Sequence, residues 1–242
     1  MVHTNDEVGS LSIEFDRIAD RVEKSVYELK DSMDRQERFM GSFAHELKTP
    51  MTSIIGYADL LRNQTLNPQE QQEAANYIFS EGRRLERLSR KLLDILVADN
   101  REIHLKSVSP ASIIKDLVRH LKPIYEQKQI PLSAHCQEGN CLLDVDLFRT
   151  LLLNLVTNAQ KAVHIDGKIK ISSELLPTGC VIRIADTGKG IPDEALPHLT
   201  EAFYRVDKSR SRSQGGAGLG LTLCERIARL HNGSITFESK YK

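Results

Sequence analysis

A single apolar stripe constrains this chain more than any other feature. Leu11, Phe15, Ile18, Val22, Val26, Leu29, Met33, Met40, Phe43 and Leu47 recur mostly at alternating steps of three and four, the spacing of a coiled-coil seam. Between Asp6 and Arg62 little interrupts a helix except Pro50, so the pattern predicts a rod of about 85 Å at roughly 1.5 Å per residue. A stripe this narrow cannot be buried by loops of its own chain. It requires a partner helix, most simply from a second copy. The equal steps from Ile18 to Val22 to Val26 form a stutter, which locally unwinds a supercoil.

A second helix is expected from Asn67. Asn67 is a good cap, Pro68 suits the first helical position, and Glu70 completes a capping box. Ile78, Leu85, Leu88, Leu92 and Ile95 keep heptad spacing. The short link from Asn63 to Asn67 makes the two helices an antiparallel hairpin, and two hairpins bury their stripes as a dimeric four-helix bundle. Periodicity by itself describes no more than a coiled-coil dimer without chemistry.

The residues around Pro50 change that reading. Phe43-Ala44-His45-Glu46-Leu47-Lys48-Thr49-Pro50 puts an imidazole, a carboxylate and a hydroxyl on one turn. His45 is two residues from Phe43 and from Leu47, so it faces away from the seam. Thr49, four residues on, shares its face. Pro50 cannot donate to the Glu46 carbonyl and crowds it, so a bend is expected beside the histidine. An interior proline can cost about 3 kcal/mol, which suggests that a bend there has a use.

After Asn100 the seam ends. Strand-like runs fall at Ile103–Val108, Ile130–Ala134, Cys141–Asp144, Lys168–Ser173, Val181–Ala185 and Ser234–Ser239, and helical patterns at Ala111–Gln127, Asp146–Ala162 and Leu219–Leu230. Ser109-Pro110 reads as a helix start. This alternation predicts one α/β domain with helices on one face of a sheet. Ile191–Gly218 has little periodicity and reads as a long functional loop. The chain is therefore multidomain, α then α/β.

Charge excludes little, but it is informative. Lys and Arg total 33, as do Asp and Glu, so bulk electrostatics give no reason to expect nucleic acid. Cys136, Cys141, Cys180 and Cys224 form no CxxC pair and read as thiols in a reducing compartment. No apolar run approaches the roughly 20 residues of a membrane span, and the residues as written are expected to carry no signal peptide. The chain as written is expected to be soluble.

Three clusters in the back half carry chemistry. Asn154, Asn158 and Lys161 share a helix face beside apolar Leu151, Leu152, Leu155 and Val156. They offer amide oxygens for Mg²⁺ and an ammonium for phosphate, although an ordinary polar face accounts for them equally well. Asp186-Thr187-Gly188-Lys189-Gly190 follows a strand-like run. Its glycines permit close approach of a ligand to the backbone, and Asp186 offers an acceptor for an exocyclic amine; an ordinary turn has the same composition. Gly215-Gly216-Ala217-Gly218-Leu219-Gly220 leads into a helix and would present backbone N–H groups to an anion. Lys208, Arg210 and Arg212 precede it as phosphate ligands or as a solvated basic loop. No Walker lysine follows these glycines.

In this order, the blocks resemble those of the sensor histidine kinases of two-component signalling. Phe43–Pro50 is similar to the H box, Asn154–Lys161 to the N box, Asp186–Gly190 to the first G box, Glu201-Ala202-Phe203-Tyr204-Arg205 to the F box, and Gly216–Gly220 to the second G box. Asp6–Leu11 resembles the start of the second helix of a HAMP relay domain. The resemblance implies a coiled-coil signalling helix over residues 1–36, a dimerisation and phosphotransfer hairpin over 37–100, and a catalytic α/β sandwich of the Bergerat or GHKL type over 101–242. It implies that ATP and Mg²⁺ bind the sandwich. Asp186, Gly188 and Gly190 would serve adenine, Asn158 and Asn154 the metal, and Lys161 phosphate. Phe203 and Arg205, with Gly216, Gly218, Leu219 and Gly220, would form the lid side.

The resemblance further implies that His45 is phosphorylated with Glu46 assisting, and that the phosphoryl group passes to an aspartate in a response regulator receiver domain. Thr49 would serve a regulator phosphatase. It also implies a homodimer that forms the cytoplasmic portion of a bacterial cell-membrane protein, with a transmembrane sensor upstream. The stutter and Pro50 would be the places where a signal biases two packings. Two departures stand out. Ala162 occupies a position where an aromatic residue often follows the N-box lysine, and the family's last strand is expected to be missing after Lys242. Two readings compete with the resemblance: a GHKL-type ATPase doing conformational work, and a coiled-coil relay module without enzymatic activity.

Overall fold

The computed structural model describes residues 4–100, 102–163, 166–206 and 217–241, with backbone only at 4–12 and 98–100. Contacts divide the chain into two compact units, Met1–Thr49 and Pro50–Lys242.

The first unit is helical. It forms part of α1 (Thr4–Asn63), whose helical assignment continues through Pro50. The stripe that predicts a coiled coil is bare within the chain: Phe15, Ile18, Val22, Val26, Leu29 and Met33 are each more than half exposed. Asp6–Leu11 lies in this helix, but its side chains are outside the description.

The second unit starts with the end of α1 and its return helix α2 (Pro68–Asn100). The capping box forms as expected. Glu70 N–H donates to Asn67 Oδ1 at 2.9 Å, and Asn67 N–H donates to Glu70 Oε2 at 2.9 Å. Two orphan donors at the start of α2 are thereby satisfied. Tyr57 of α1 stacks on Tyr77 of α2 with ring centroids 4.6 Å apart.

The α/β part follows with β1 (Lys106–Val108), α3 (Pro110–Gln127), β2 (Leu132–Cys136), β3 (Cys141–Leu143), α4 (Val145–Ala162), β4 (Ile169–Leu176), β5 (Gly179–Asp186) and α5 (Gly220–Leu230). Ser109 Oγ caps α3 by accepting from Ser112 N–H at 3.3 Å. The strands form two sheets rather than the expected one. β1 pairs antiparallel with β3, and a three-stranded sheet runs in the order β2-β4-β5. β2 and β4 are parallel, while β4 and β5 are antiparallel. Ile169 and Ile171 of β4 are fully buried and belong to a core with Ile114, Leu152 and Val156.

Two expectations need correction. Ser234–Ser239 alternates like a strand but forms none, because alternation makes a strand only where a neighbouring ladder satisfies its backbone. The segment is instead held by single contacts, such as Ile191 N–H to Ser239 Oγ at 2.8 Å. The described residues of Ile191–Gly218, which leave out 207–216, are irregular apart from a short 3₁₀ helix at Asp193–His198. No helix among the described residues is long and apolar enough to cross a membrane.

Substituting Asn67→Ala removes one side of the reciprocal cap. Unfolding in urea should show a loss of about 1 kcal/mol; an unchanged midpoint would mean that the box contributes nothing.

Candidate functional site

His45 is exposed, as its offset from the half-buried Phe43 and Leu47 requires. Thr49 Oγ1 donates to the His45 carbonyl at 3.3 Å, which fixes the hydroxyl one turn from the imidazole. Glu46 is half-buried. The histidine, the carboxylate and the hydroxyl therefore lie within a single turn and a half of α1.

In the second unit, the placement of α4 starts at the buried carboxylate of Asp144. Its Oδ1 accepts from Asp146 and Leu147 N–H, each at 3.1 Å, and its Oδ2 accepts from His104 N–H at 3.1 Å. The Asp144 N–H donates to His231 Nε2 at 3.0 Å. His231 Nδ1 lies 2.8 Å from the Ile227 carbonyl. One residue thus caps α4 and ties its start to the end of α5. Cys224 Sγ lies 3.8 Å from the Leu151 carbonyl, farther along the same pair of helices. Burial pushes the Cys224 thiol up to about 12, so it stays neutral.

This arrangement brings Asn154 and Asn158 to the start of α5. Asn154 Nδ2 donates to the Thr150 carbonyl at 2.9 Å, which turns its oxygen toward Gly220. A Cβ on Gly220 would stand 3.2 Å from Asn154 Oδ1, 3.7 Å from Asn158 Nδ2 and 3.8 Å from Lys91 Nζ. The first two amides were expected together. Lys91, reaching in from α2, was not.

Asp186 closes β5 and accepts from Gly188 N–H at 2.8 Å. Lys189 N–H donates to the Ala162 carbonyl at 3.3 Å. This loop is therefore fastened to the last turn of α4, one residue beyond Lys161. The protein's own backbone also requires the loop's glycines. A Cβ on Gly188 would fall 2.6 Å from the Ala162 carbonyl oxygen, and one on Gly190 would fall 2.1 Å from that of Lys240. What approaches these glycines closely is the protein's own backbone.

The F-box and second G-box segments also meet. Phe203 N–H donates to the Gly218 carbonyl at 3.0 Å. Gly218 has φ +72°, and a Cβ there would lie 2.8 Å from Phe203 Cα. Phe203 itself has φ 66°, a strained conformation for an aromatic residue. Leu219 is fully buried at the start of α5. Gly215 and Gly216, with Lys208, Arg210 and Arg212, lie outside the described residues.

The electrostatics of this region are one-sided. Burial depresses the Lys161 ammonium first, and the like charges of Lys91, Arg205 and Arg87 lower it further. Lys91 is also depressed by burial, with the Asp94 carboxylate acting against that shift. Sequence reasoning missed Lys91, Arg87, Asp144 and His231. Only Asp144 carried a signal, as a capping residue just before a helical pattern.

Comparison with known proteins now assigns the class. Residues 143–242 match the model described as histidine kinase-, DNA gyrase B-, and HSP90-like ATPase. Residues 35–99 match the His Kinase A (phospho-acceptor) domain. The signal transduction histidine-protein kinase ArlS of Staphylococcus aureus is 31% identical over 230 residues, which cover 94% of this chain and 51% of ArlS. The chain thus spans about half the length of the curated relatives it matches.

Two solved structures share the fold. The histidine kinase ThkA in complex with the response regulator protein TrrA aligns with a TM-score of 0.64 and 22% identity, over 86% of this chain and 60% of that one. Acinetobacter baumannii histidine kinase AdeS aligns with 0.57 and 20%, over 77% and 86%. A phospho-acceptor hairpin followed by an ATP-binding α/β domain defines this architecture. The chain belongs to the sensor histidine kinases of two-component signalling.

Gly218→Ala would force an L residue into the left-handed region against Phe203. Thermal unfolding should show a loss of more than about 1 kcal/mol. A melt that matches the unsubstituted chain would contradict this close approach.

Proposed function

We propose that this chain phosphorylates His45 from ATP and passes the phosphoryl group to an aspartate on a response regulator receiver domain. The supporting observation is the convergence of Asn154, Asn158 and Gly220 at one point, with Lys161 amid like charges, in a chain that also carries the phospho-acceptor domain.

The chemistry assigned to each residue follows from its type and surroundings. Asp186 accepts from the exocyclic amine of adenine. Its bond from Gly188 N–H leaves it exposed, with oxygen lone pairs to spare. The carboxamide oxygens of Asn154 and Asn158 are neutral, hard donors that suit Mg²⁺ when phosphate oxygens complete the shell. When bound, Mg²⁺ neutralises charge that develops on the phosphates. Lys161 and the first N–H groups of α5 supply further positive potential. Gly188, Gly190, Gly218 and Leu219 keep the surrounding loops in place, and Phe203 and Arg205 serve the lid side, to which the resemblance also assigns Gly216.

In the transfer step, a ring nitrogen of His45 forms a bond to the γ-phosphorus as the bond to the β–γ bridging oxygen breaks, releasing ADP. The other ring nitrogen carries a proton, which Glu46 stabilises or accepts. The second step moves the phosphoryl group from nitrogen to a carboxylate oxygen and restores the imidazole. Thr49 positions a water for hydrolysis of the regulator's acyl phosphate.

The same reading divides the chain into a signalling helix over 1–36 at the end of a HAMP domain, a dimerisation and phosphotransfer hairpin over 37–100, and the catalytic domain over 101–242. The bare stripe from Phe15 to Met33 on the signalling helix supports a homodimer, in which the two hairpins would make the four-helix bundle. The parent protein would carry a transmembrane sensor upstream, with this portion in the cytoplasm.

Incubation with γ-labelled ATP should give acid-labile, base-stable label on the chain. His45→Ala should abolish that label and leave ATP affinity nearly intact; label persisting on another residue would sink the assignment. Thr49→Ala should retain autophosphorylation and lose most regulator phosphatase activity. Equal loss of both activities would refute the role given to Thr49.

A further inference from the structure

The helix α2 does more than close the hairpin, because it packs against α5 at the site just described. Its buried positions Leu88 and Ile95 are seven residues apart and share one face. Lys91 lies between them, half-buried. Its Nζ approaches the start of α5 at the same point as the Asn154 and Asn158 amides. Arg87, one turn earlier on α2, is exposed. Lys161 comes from α4 and Arg205 from the loop before α5.

Four cations from three segments, Lys91 and Arg205 half-buried and Arg87 and Lys161 exposed, therefore act on one another around Lys161, beside the neutral amides of Asn154 and Asn158. Asp94, on α2 itself, is the carboxylate that acts on Lys91. Among the described residues, Lys91, Arg87 and Lys161 make no ion pair. Like charges brought together away from bulk water repel, and fields between low-dielectric walls are focused. A polyanion relieves that repulsion, and a triphosphate carries its charge at one end.

We propose that α2 supplies part of the phosphate site, with Lys91 and, more weakly, Arg87 contacting the terminal phosphates of the bound nucleotide. The inference rests on the nucleotide reading given above and extends it to the helical hairpin. It makes triphosphate binding and the packing of α2 on α5 mutually reinforcing, since each ligand of a coupled pair favours the other equally.

Titration calorimetry on the whole chain with ATP, ADP and adenosine tests it. Lys91→Gln should weaken ATP about tenfold, or ~1.4 kcal/mol, weaken ADP less, and leave adenosine unchanged. Lys91→Arg should restore most of the ATP affinity. Arg87→Gln, a substitution at an exposed position, should weaken ATP by about threefold, and that effect should shrink in high salt. ATP binding that is unchanged or tighter in Lys91→Gln and Arg87→Gln overturns the assignment. So does a matching loss of adenosine affinity, which marks a purely structural role. If the unsubstituted chain binds adenosine and ATP while both variants match it, only the role of α2 falls. If it binds neither ligand, the nucleotide reading falls as well.

Discussion

The buried carboxylate of Asp144 is the contact on which the α/β part depends. It accepts three backbone N–H groups, two from the first turn of α4 and one from His104, and its own N–H bonds to His231. A buried charge is tolerable only when it is surrounded by donors in this way. The bonds set how α4 lies against α5, because one residue reaches both. The polar side of α4 then faces the start of α5, where Asn154 and Asn158 meet Gly220. If this clamp loosened, the apolar core of Ile114, Leu152 and Val156 would still be buried, but the amides would lose their register with the α5 terminus.

The site differs in kind from that core. Its side chains are neutral amides and cations, and burial together with the neighbouring cations lowers the Lys161 ammonium. On the proposed reading, such a region serves an anion rather than stability. The strain at Phe203, with its positive φ beside Gly218, is of the same kind. Gly188 and Gly190 accommodate neighbouring carbonyls of the protein.

Much of this was legible beforehand because it is local. The capping box at Asn67, the Ser109 cap, the outward histidine and the shared face of Asn154 and Asn158 all follow from spacing along one helix. Elements whose existence depends on a distant partner were less legible. Ser234–Ser239 has strand composition but no ladder, and the expected single sheet is two. Lys91 resembles any solvated lysine on an amphipathic helix until α2 is packed against α5.

The sequence by itself determined the heptad stripe, the helix starts and the chemical identity of each block, because helix periodicity and capping act within a few residues. Only the tertiary structure decided which blocks meet. Whether Asn154, Lys161, Gly220 and Lys91 share one site depends on packing between helices far apart in the chain, and that packing is set by long-range contacts such as the bond from Asp144 N–H to His231, which no local pattern encodes.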